Sequence, residues 1–534
     1  MWPAVLLLVT AQFADGGSDY AIERSDTGTT VIIPMPGPPP QPQPQPQPVQ
    51  PAPQPSPVQP APQPQVVPEP QPPQPVPQPV QPLPVEKQQQ PYQPQPQPQP
   101  YQPQGYAPPP AGWTPDAGST KISLRGAFET DLGVFPSGYQ DSSVDLMAGA
   151  HPVIGLSIGE DFNLELGPTF RFRLADFPPE NRTSDVGNVL RGADWDEVSD
   201  YGQILQELRI GRETGPFHIR LGTVRKKTMG LGHLMWRYNA QLNPNYHPAS
   251  GQLDVRIGPV RGEFFASDIL GARMFGGEIG WDIGRTFSPD PALKDRYGLS
   301  LSLIHDANLA GKPFRPTPDL TPFTPAFATL LHLDLNAVLV RDGSLRWMLL
   351  GGIGTRANQR GDLGLVFGTT LDATLQEIGF STRIEFRKQN GGFRHGFFGP
   401  MYELQRFVDI GFNGASIQDA QLPDSASVFG ELRVGIGTRV TADAAAEYFF
   451  FNRVDLDGGL SLAIFDDWFY TTARMTVLGL LQAPRWSVTC GLRWRLFKSF
   501  YVTAEGGTLF FPQPDGSLLR GVLANAGIGL DFER

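Results

Sequence analysis

Cysteine occurs once in this chain, as Cys490, so neither a disulfide framework nor a thiolate zinc site can be built. Histidine is nearly as scarce. Seven residues are scattered along 534, with no H-E-x-x-H spacing and no His–Cys pairing to mark a catalytic metal. No run of 18 apolar residues exists, which excludes membrane-spanning helices. Basic charge is also short: 42 Lys+Arg face 53 Asp+Glu, a net charge of −11, so nucleic acid is not an expected partner. Helical periodicity is missing too. The one match to a nucleophile elbow, Gly155-Leu-Ser-Ile-Gly159, holds its serine in an alternating strand, not at a strand-to-helix turn. We therefore expect no enzyme, with no catalytic, cofactor-binding or metal-ligating residues.

Proline is abundant but uneven, most of the 57 lying between Pro36 and Pro110. Pro-Gln and Pro-Val units repeat there. Proline fixes φ and removes amide donors, so residues 36–115 read as a polyproline II-like linker without a core. Some 75 such residues could reach on the order of 200 Å. The segment is a spacer or a tether to a periplasmic or cell-wall partner, with Tyr92, Tyr101 and Tyr106 as docking points. Before it, residues 1–11 have the short apolar core of a secretory signal peptide, without the usual positive charge, and 12–35 read as disordered.

Beyond the arm the chain alternates. Val522, Ala524, Ala526, Ile528, Leu530 and Phe532 share one parity, against Leu523, Asn525, Gly527, Gly529 and Asp531. A strand sends successive side chains to opposite faces, so one face here is apolar and the other small and polar. The pattern recurs in 122–134, 162–174, 377–387 and 486–496, where arginine and glutamate take the second face. Cys490 shares the apolar parity with Val488 and Leu492. Parity alone does not say which face is inside. Size does: a closed sheet of roughly 400 residues cannot fill its interior with side chains, so the polar face must be the inner one.

The expected fold is all-β: a transmembrane antiparallel up-and-down barrel over 121–534 of about 18 strands, 16 to 20 being tolerable. Tight connections (159–161, 213–215, 341–344, 466–467, 498–499) alternate with long ones (177–200, 226–251, 307–327, 388–400, 413–426). Met401 to Phe412 breaks the up-down order if counted as a strand, so it reads as a loop or plug-like excursion. Trp468, Tyr470, Phe497, Phe500, Phe510 and Phe511 cluster at strand ends, as aromatic girdles do.

The inward parity collects Arg125, Glu129, Arg171, Arg173, Arg383, Arg387, Arg433, Arg493, Arg495 and Glu505, which we take as candidate pore-lining residues. Arginine's planar fork can pair with carboxylates across strands or with a passing anionic group, so a stiffening salt-bridge mesh and a selective pore both suit it. Asp194-Trp-Asp-Glu-Val-Ser-Asp200 reads as a solvated acidic loop, with divalent-cation binding as the alternative. Arg225, Lys226 and Lys227, at the outer end of a long loop, suit anionic lipopolysaccharide.

On these residues, 121–534 resembles the large porin-like outer-membrane barrels of Gram-negative bacteria. Val522 to Phe532 looks like their terminal assembly signal, with Phe532 as its aromatic, although Glu533 and Arg534 follow it. The stretches 191–201 and 230–238 look like features of barrels from predatory and gliding bacteria. The resemblance implies a bacterial outer-membrane location with the N-terminal arm in the periplasm. It also implies outer-membrane lipid, lipopolysaccharide and the barrel-assembly machinery as partners. It suggests a porin-like or export pore for a hydrophilic solute, polysaccharide included, or a structural or gliding-motility anchor.

Overall fold

The structure, a computed structural model, describes residues 122–136, 144–177 and 190–533 except for short breaks, the longest at 308–326 and 406–416. It also describes two N-terminal strands, Tyr20–Arg24 and Thr30–Pro34, paired antiparallel within the 12–35 stretch. The signal-peptide reading of 1–11 and the Pro/Gln arm of 36–115 lie outside the described residues.

From Ile122 to Glu533 the chain forms a closed antiparallel barrel. The last strand, Leu518–Glu533, closes on the first, Ile122–Pro136, in a register running from Ala524 opposite Val134 to Glu533 opposite Arg125. Twenty strands complete the circle, against the expected 18. One is interrupted: Phe162–Leu166 and Phe170–Phe177 both pair with Val144–Ile158, separated by Gly167 to Thr169. The undercount has a physical source. Val440–Phe449 carries alanine at 442, 444, 445 and 446, on both faces, which erases hydropathy contrast. Leu205–Ile210 and Phe217–Gly222 are six residues each, too short to alternate convincingly.

Tight turns such as 159–161, 258–259, 342–344 and 376–377 gather at one end of the barrel, and the long connections at the other. An even strand number returns the chain to its starting end, so Ile122 and Glu533 both lie on the tight-turn side. A short helix, Ile283–Phe287, thickens that side; the Asp282 side chain caps it by accepting from the Arg285 amide at 3.0 Å.

The alternation sorts as expected. Ile122, Leu124, Phe128, Leu132 and Val134 are exposed on the outer face, as are Ile384, Phe386, Ile528 and Leu530, while Glu129 and Asp531 turn inward and are buried. Water does not tolerate an apolar belt of this extent, and lipid does. Cys490 is exposed on that belt. Trp468 and Phe497 are exposed near the tight-turn end as girdle residues. Tyr470 and Phe510 are corrections. Tyr470 shares register and face with Arg493 and lines the lumen, and Phe510 is buried against Met401 and Leu404. Proximity to a strand end put them in the girdle; parity puts them inside.

Because no core-forming pattern precedes Ile122, the barrel should assemble without its arm. A chain lacking residues 12–115, refolded in detergent, should show the heat-modifiable migration of a closed sheet. Loss of that migration would mean the arm is needed for folding.

Candidate functional site

A twenty-strand barrel is too wide for wall side chains to fill, so the contents of the lumen decide what it can do. Two long connections fold into it. Residues 223–249 enter as a hairpin in which Lys227 and Tyr238 exchange both backbone bonds at 2.8 Å and Met229 N donates to Met235 O at 3.1 Å. The tip turns at Gly230 and Gly232, with φ of +56° and +82°. A Cβ on Gly230 would overlap a Glu278 carboxylate oxygen, so only glycine lets the tip approach the wall there. The second connection, described over 392–405, docks on the hairpin by backbone bonds from Gly396 N to His233 O (2.8 Å), Phe398 N to Leu234 O (3.0 Å) and Trp236 N to Phe398 O (3.2 Å). It includes the short buried helix Tyr402–Gln405, which agrees with reading the region from Met401 as an excursion, not a strand.

Together these segments build a core inside the lumen. Met229, Leu234, Met235 and Tyr238 of the hairpin pack with Phe393, Phe397, Phe398 and Tyr402, and against Phe265, Met274, Ile304 and Leu330 of the wall. Apolar burial holds the hairpin to one side, and charge fixes its orientation. Arg237 donates to Glu431 Oε1 and Asp457 Oδ1, each at 2.7 Å, and to Asp443. Lys226 reaches Asp443 at 3.0 Å, and Lys227 pairs with Glu263. These two lysines were expected to meet lipopolysaccharide at the outer rim. They turn inward because the segment carrying them does.

The acidic stretch is also corrected. Asp194 is fully buried, 3.1 Å from Arg171 and paired with Arg191, and Glu197 meets Arg273 at 3.0 Å. Asp200 accepts from the Glu197 and His247 amides at 3.0 and 3.2 Å. Burial alone would raise Asp194, but Arg191 and Arg171 hold its carboxyl well below the usual range. Burial wins at Asp200, which is pushed up to about 6. Asp194, Glu197 and Asp200 brace a loop rather than forming a solvated cluster, and only Asp196 of the four is exposed.

The inward residues read from sequence divide into three sets: beneath the hairpin, around a cavity, and paired along the wall. Arg383 and Arg387 lie beneath the hairpin: both pair with Glu385, Arg387 also meets Glu447 at 2.7 Å, and Arg383 bonds the Leu231 carbonyl. Glu129, Arg171, Arg493 and Glu505 line a cavity of about 260 Å³ between the hairpin and the facing wall, joined there by Asp131, His151 and Arg225. Within it, His151 Nε2 lies 2.7 Å from Asp131; below it, Arg493 and Arg495 both reach Asp531 at 2.7 Å. Arg125 lies 3.5 Å from Glu165, Arg173 lies 3.2 Å from Asp145, and Arg433, the most exposed of the set, lies 3.9 Å from Glu431. Phe532 is on the outer face, 63% exposed.

Sequence reasoning missed the hairpin, though a signal existed. Met229, Leu234, Met235, Trp236 and Tyr238 are too apolar for a loop standing in water above a membrane.

No family model matches the chain, and no curated protein matches it. Among solved structures it is similar to OccK8 (OprE) of Pseudomonas aeruginosa, at 8% identity and a TM-score of 0.34 over 77% of this chain and 97% of that one. It is similar to OccAB3 of Acinetobacter baumannii at 8% identity and a TM-score of 0.33, covering 77% and 99%. A mutant of the ferric enterobactin receptor PfeA of Pseudomonas aeruginosa, in complex with enterobactin, gives 9% identity and a TM-score of 0.34, covering 77% and 81%. These neighbours are barrels of Gram-negative outer membranes, and this chain is likewise a large closed antiparallel barrel.

Proposed function

We propose that this chain is a bacterial outer-membrane barrel that passes a small hydrophilic solute through the gap between its in-folded hairpin and the facing wall. One observation carries the reading: the cavity there sets Arg171, Arg225 and Arg493 among Glu129, Asp131 and Glu505. Opposite charges around a narrow, low-dielectric gap create a field that orients polar solutes and turns apolar ones away. A polysaccharide chain suits this gap less well, because hairpin and docked segment fill the lumen beside it. In this reading the tight-turn end and the N-terminal arm face the periplasm. Lipid and lipopolysaccharide surround the apolar belt, and the assembly machinery reads Phe532.

A second reading, an envelope or motility anchor whose arm grips a periplasmic or cell-wall partner, is favoured by how firmly the hairpin is ion-paired in place. Single-channel recording of the full chain separates the two. Open-pore conduction is expected, with the reversal potential in a salt gradient moving toward cations when Arg171, Arg225 and Arg493 are all changed to Gln. Lumenal charges act over about 10 Å at 0.1 M salt, so the shift should shrink as salt rises. A folded barrel that never conducts would retire the pore and leave the anchor.

A further inference from the structure

Seven histidines are spread along the sequence, yet three of them converge inside the lumen. His233 comes from the hairpin, His395 from the docked 392–405 segment, and His332 from the wall strand Ala328–Arg341. Asp334, two residues on, shares the inward face of that strand with His332. All four are buried: His233 and His332 are 1% exposed, Asp334 2% and His395 4%. One ring nitrogen each of His233 and His332 and a carboxylate oxygen of Asp334 lie within 4.8 Å of one another. His233 Nδ1 contacts Asp334 Oδ1, and His332 Nδ1 lies 3.0 Å from the same oxygen. The His395 ring centroid is 5.3 Å from that of His332 and 5.7 Å from that of His233.

Two further observations point to a ligand. His332 Nε2 and both ring nitrogens of His395 lack a hydrogen-bond partner although the residues are buried. Buried polar atoms are rarely left so, and three side by side point to an occupant. The strand paired with that of His332 and Asp334 is also bare there. A Cβ on Gly352 would lie 2.5 Å from His332 Cε1 and 2.8 Å from Asp334 Oδ1, and one on Gly354 would lie 2.5 Å from His332 Cδ2. The neighbouring strand thus gives up side chains where the cluster needs room.

We propose that His233, His332 and Asp334 form a site for a borderline divalent transition ion of the Zn²⁺ type, joining hairpin and wall, with the His395 ring packed beside it. Imidazole and carboxylate donors without thiolate suit such an ion. Ligand bonds of about 2.0–2.2 Å place tetrahedral donors about 3.4 Å apart; both histidines lie nearer than that to Asp334 and no pair is beyond 4.8 Å, so shifts on the order of 1 Å admit the ion. The surroundings are arranged for it. His233 Nε2 lies 3.0 Å from Glu385 Oε1, and donating its proton there leaves Nδ1 free as a ligand. Arg383 and Arg387 take the charge of Glu385, leaving Asp334 as the carboxylate for the ion. All three donors are at most 2% exposed, so substrate has no access to the ion and the site is structural. It is independent of whether the barrel conducts.

The test uses tag-free full-length chain, stripped with chelator and titrated with Co²⁺ and Zn²⁺. One equivalent of Co²⁺ should bind with the visible absorption of a tetrahedral nitrogen–oxygen site, and Zn²⁺ should displace it. His332→Ala should abolish the band, and His151→Ala, in the other lumenal cavity, should keep it. Glu385→Gln, at a positioning residue, should weaken binding by about 10–100-fold at unchanged stoichiometry. Wild-type chain with no band overturns the proposal, as does a band that survives His332→Ala. Should His332→Ala fail to fold, His233→Gln replaces it, and an unchanged band there is equally fatal.

Discussion

Arg237→Ala should destabilise the barrel by about 3–5 kcal/mol, the usual cost of removing one partner from a buried ion cluster. Arg237 is 2% exposed and bonds Glu431, Asp443 and Asp457. Burial disfavours its charge, yet the three carboxylates overcome that and hold its proton more firmly than in a free guanidinium. Alanine would leave Asp457 with Arg474 at 3.1 Å, Asp443 with Lys226 at 3.0 Å, and Glu431 with the Trp236 indole at 3.3 Å and the more distant Arg433. The hairpin would also lose its firmest hold on that wall. Denaturant unfolding should show the loss, and channel recordings should show larger, noisier conductance as the hairpin loosens. Stability within about 0.5 kcal/mol of wild type, the range of an ordinary surface change, would mean that the apolar core alone seats the hairpin.

Ile384→Arg should cost about 2–4 kcal/mol, the penalty for arginine near the bilayer midplane. Ile384 is 55% exposed on the outer face, midway along Ile378–Gly391, and its neighbour Glu385 is buried on the inner one. The matching lumenal change, Asn525→Arg, faces the polar cavity directly opposite Glu505, where a cation is welcome. Folding equilibria in lipid should separate the two variants by most of the predicted cost. Equal losses would invert the assignment of faces.

These contrasts rest on parity, and parity is legible in the residues alone. The alternation of Val522 to Phe532, and of arginine and glutamate against leucine and phenylalanine elsewhere, follows from the two-residue repeat of a strand. Closing that sheet requires one face to meet lipid. The count was harder, because Ala442 to Ala446 offer no contrast and Gly167-Pro168 splits one strand into two.

The lumen was less legible. Whether a long connection stands outside or folds back depends on partners far away in sequence, and no local pattern encodes them. Lys226 meets Asp443, 217 residues on, and His233 meets Glu385, 152 residues on. Composition carried a hint in the methionines and aromatics of 229–238, while charge misled: Lys226 and Lys227 read as a rim patch only if their loop points out. The His332–Asp334 spacing is equally silent until the hairpin delivers His233 to it.

The hairpin's partners bear on the shape of the ring itself. Glu263, Asp334, Glu385, Glu431, Asp443 and Asp457 stand on six different strands, and all are gripped from within by a single hairpin. A hollow tube of twenty staves is easily flattened by lateral pressure, because its hydrogen bonds resist shear along the wall better than bending across it. Spokes tied to one hub remove that freedom. Over the arc they span, the cross-section cannot ovalise without pulling a buried charge from its partner, so the gap on the open side keeps its width as the surrounding bilayer is squeezed or thinned.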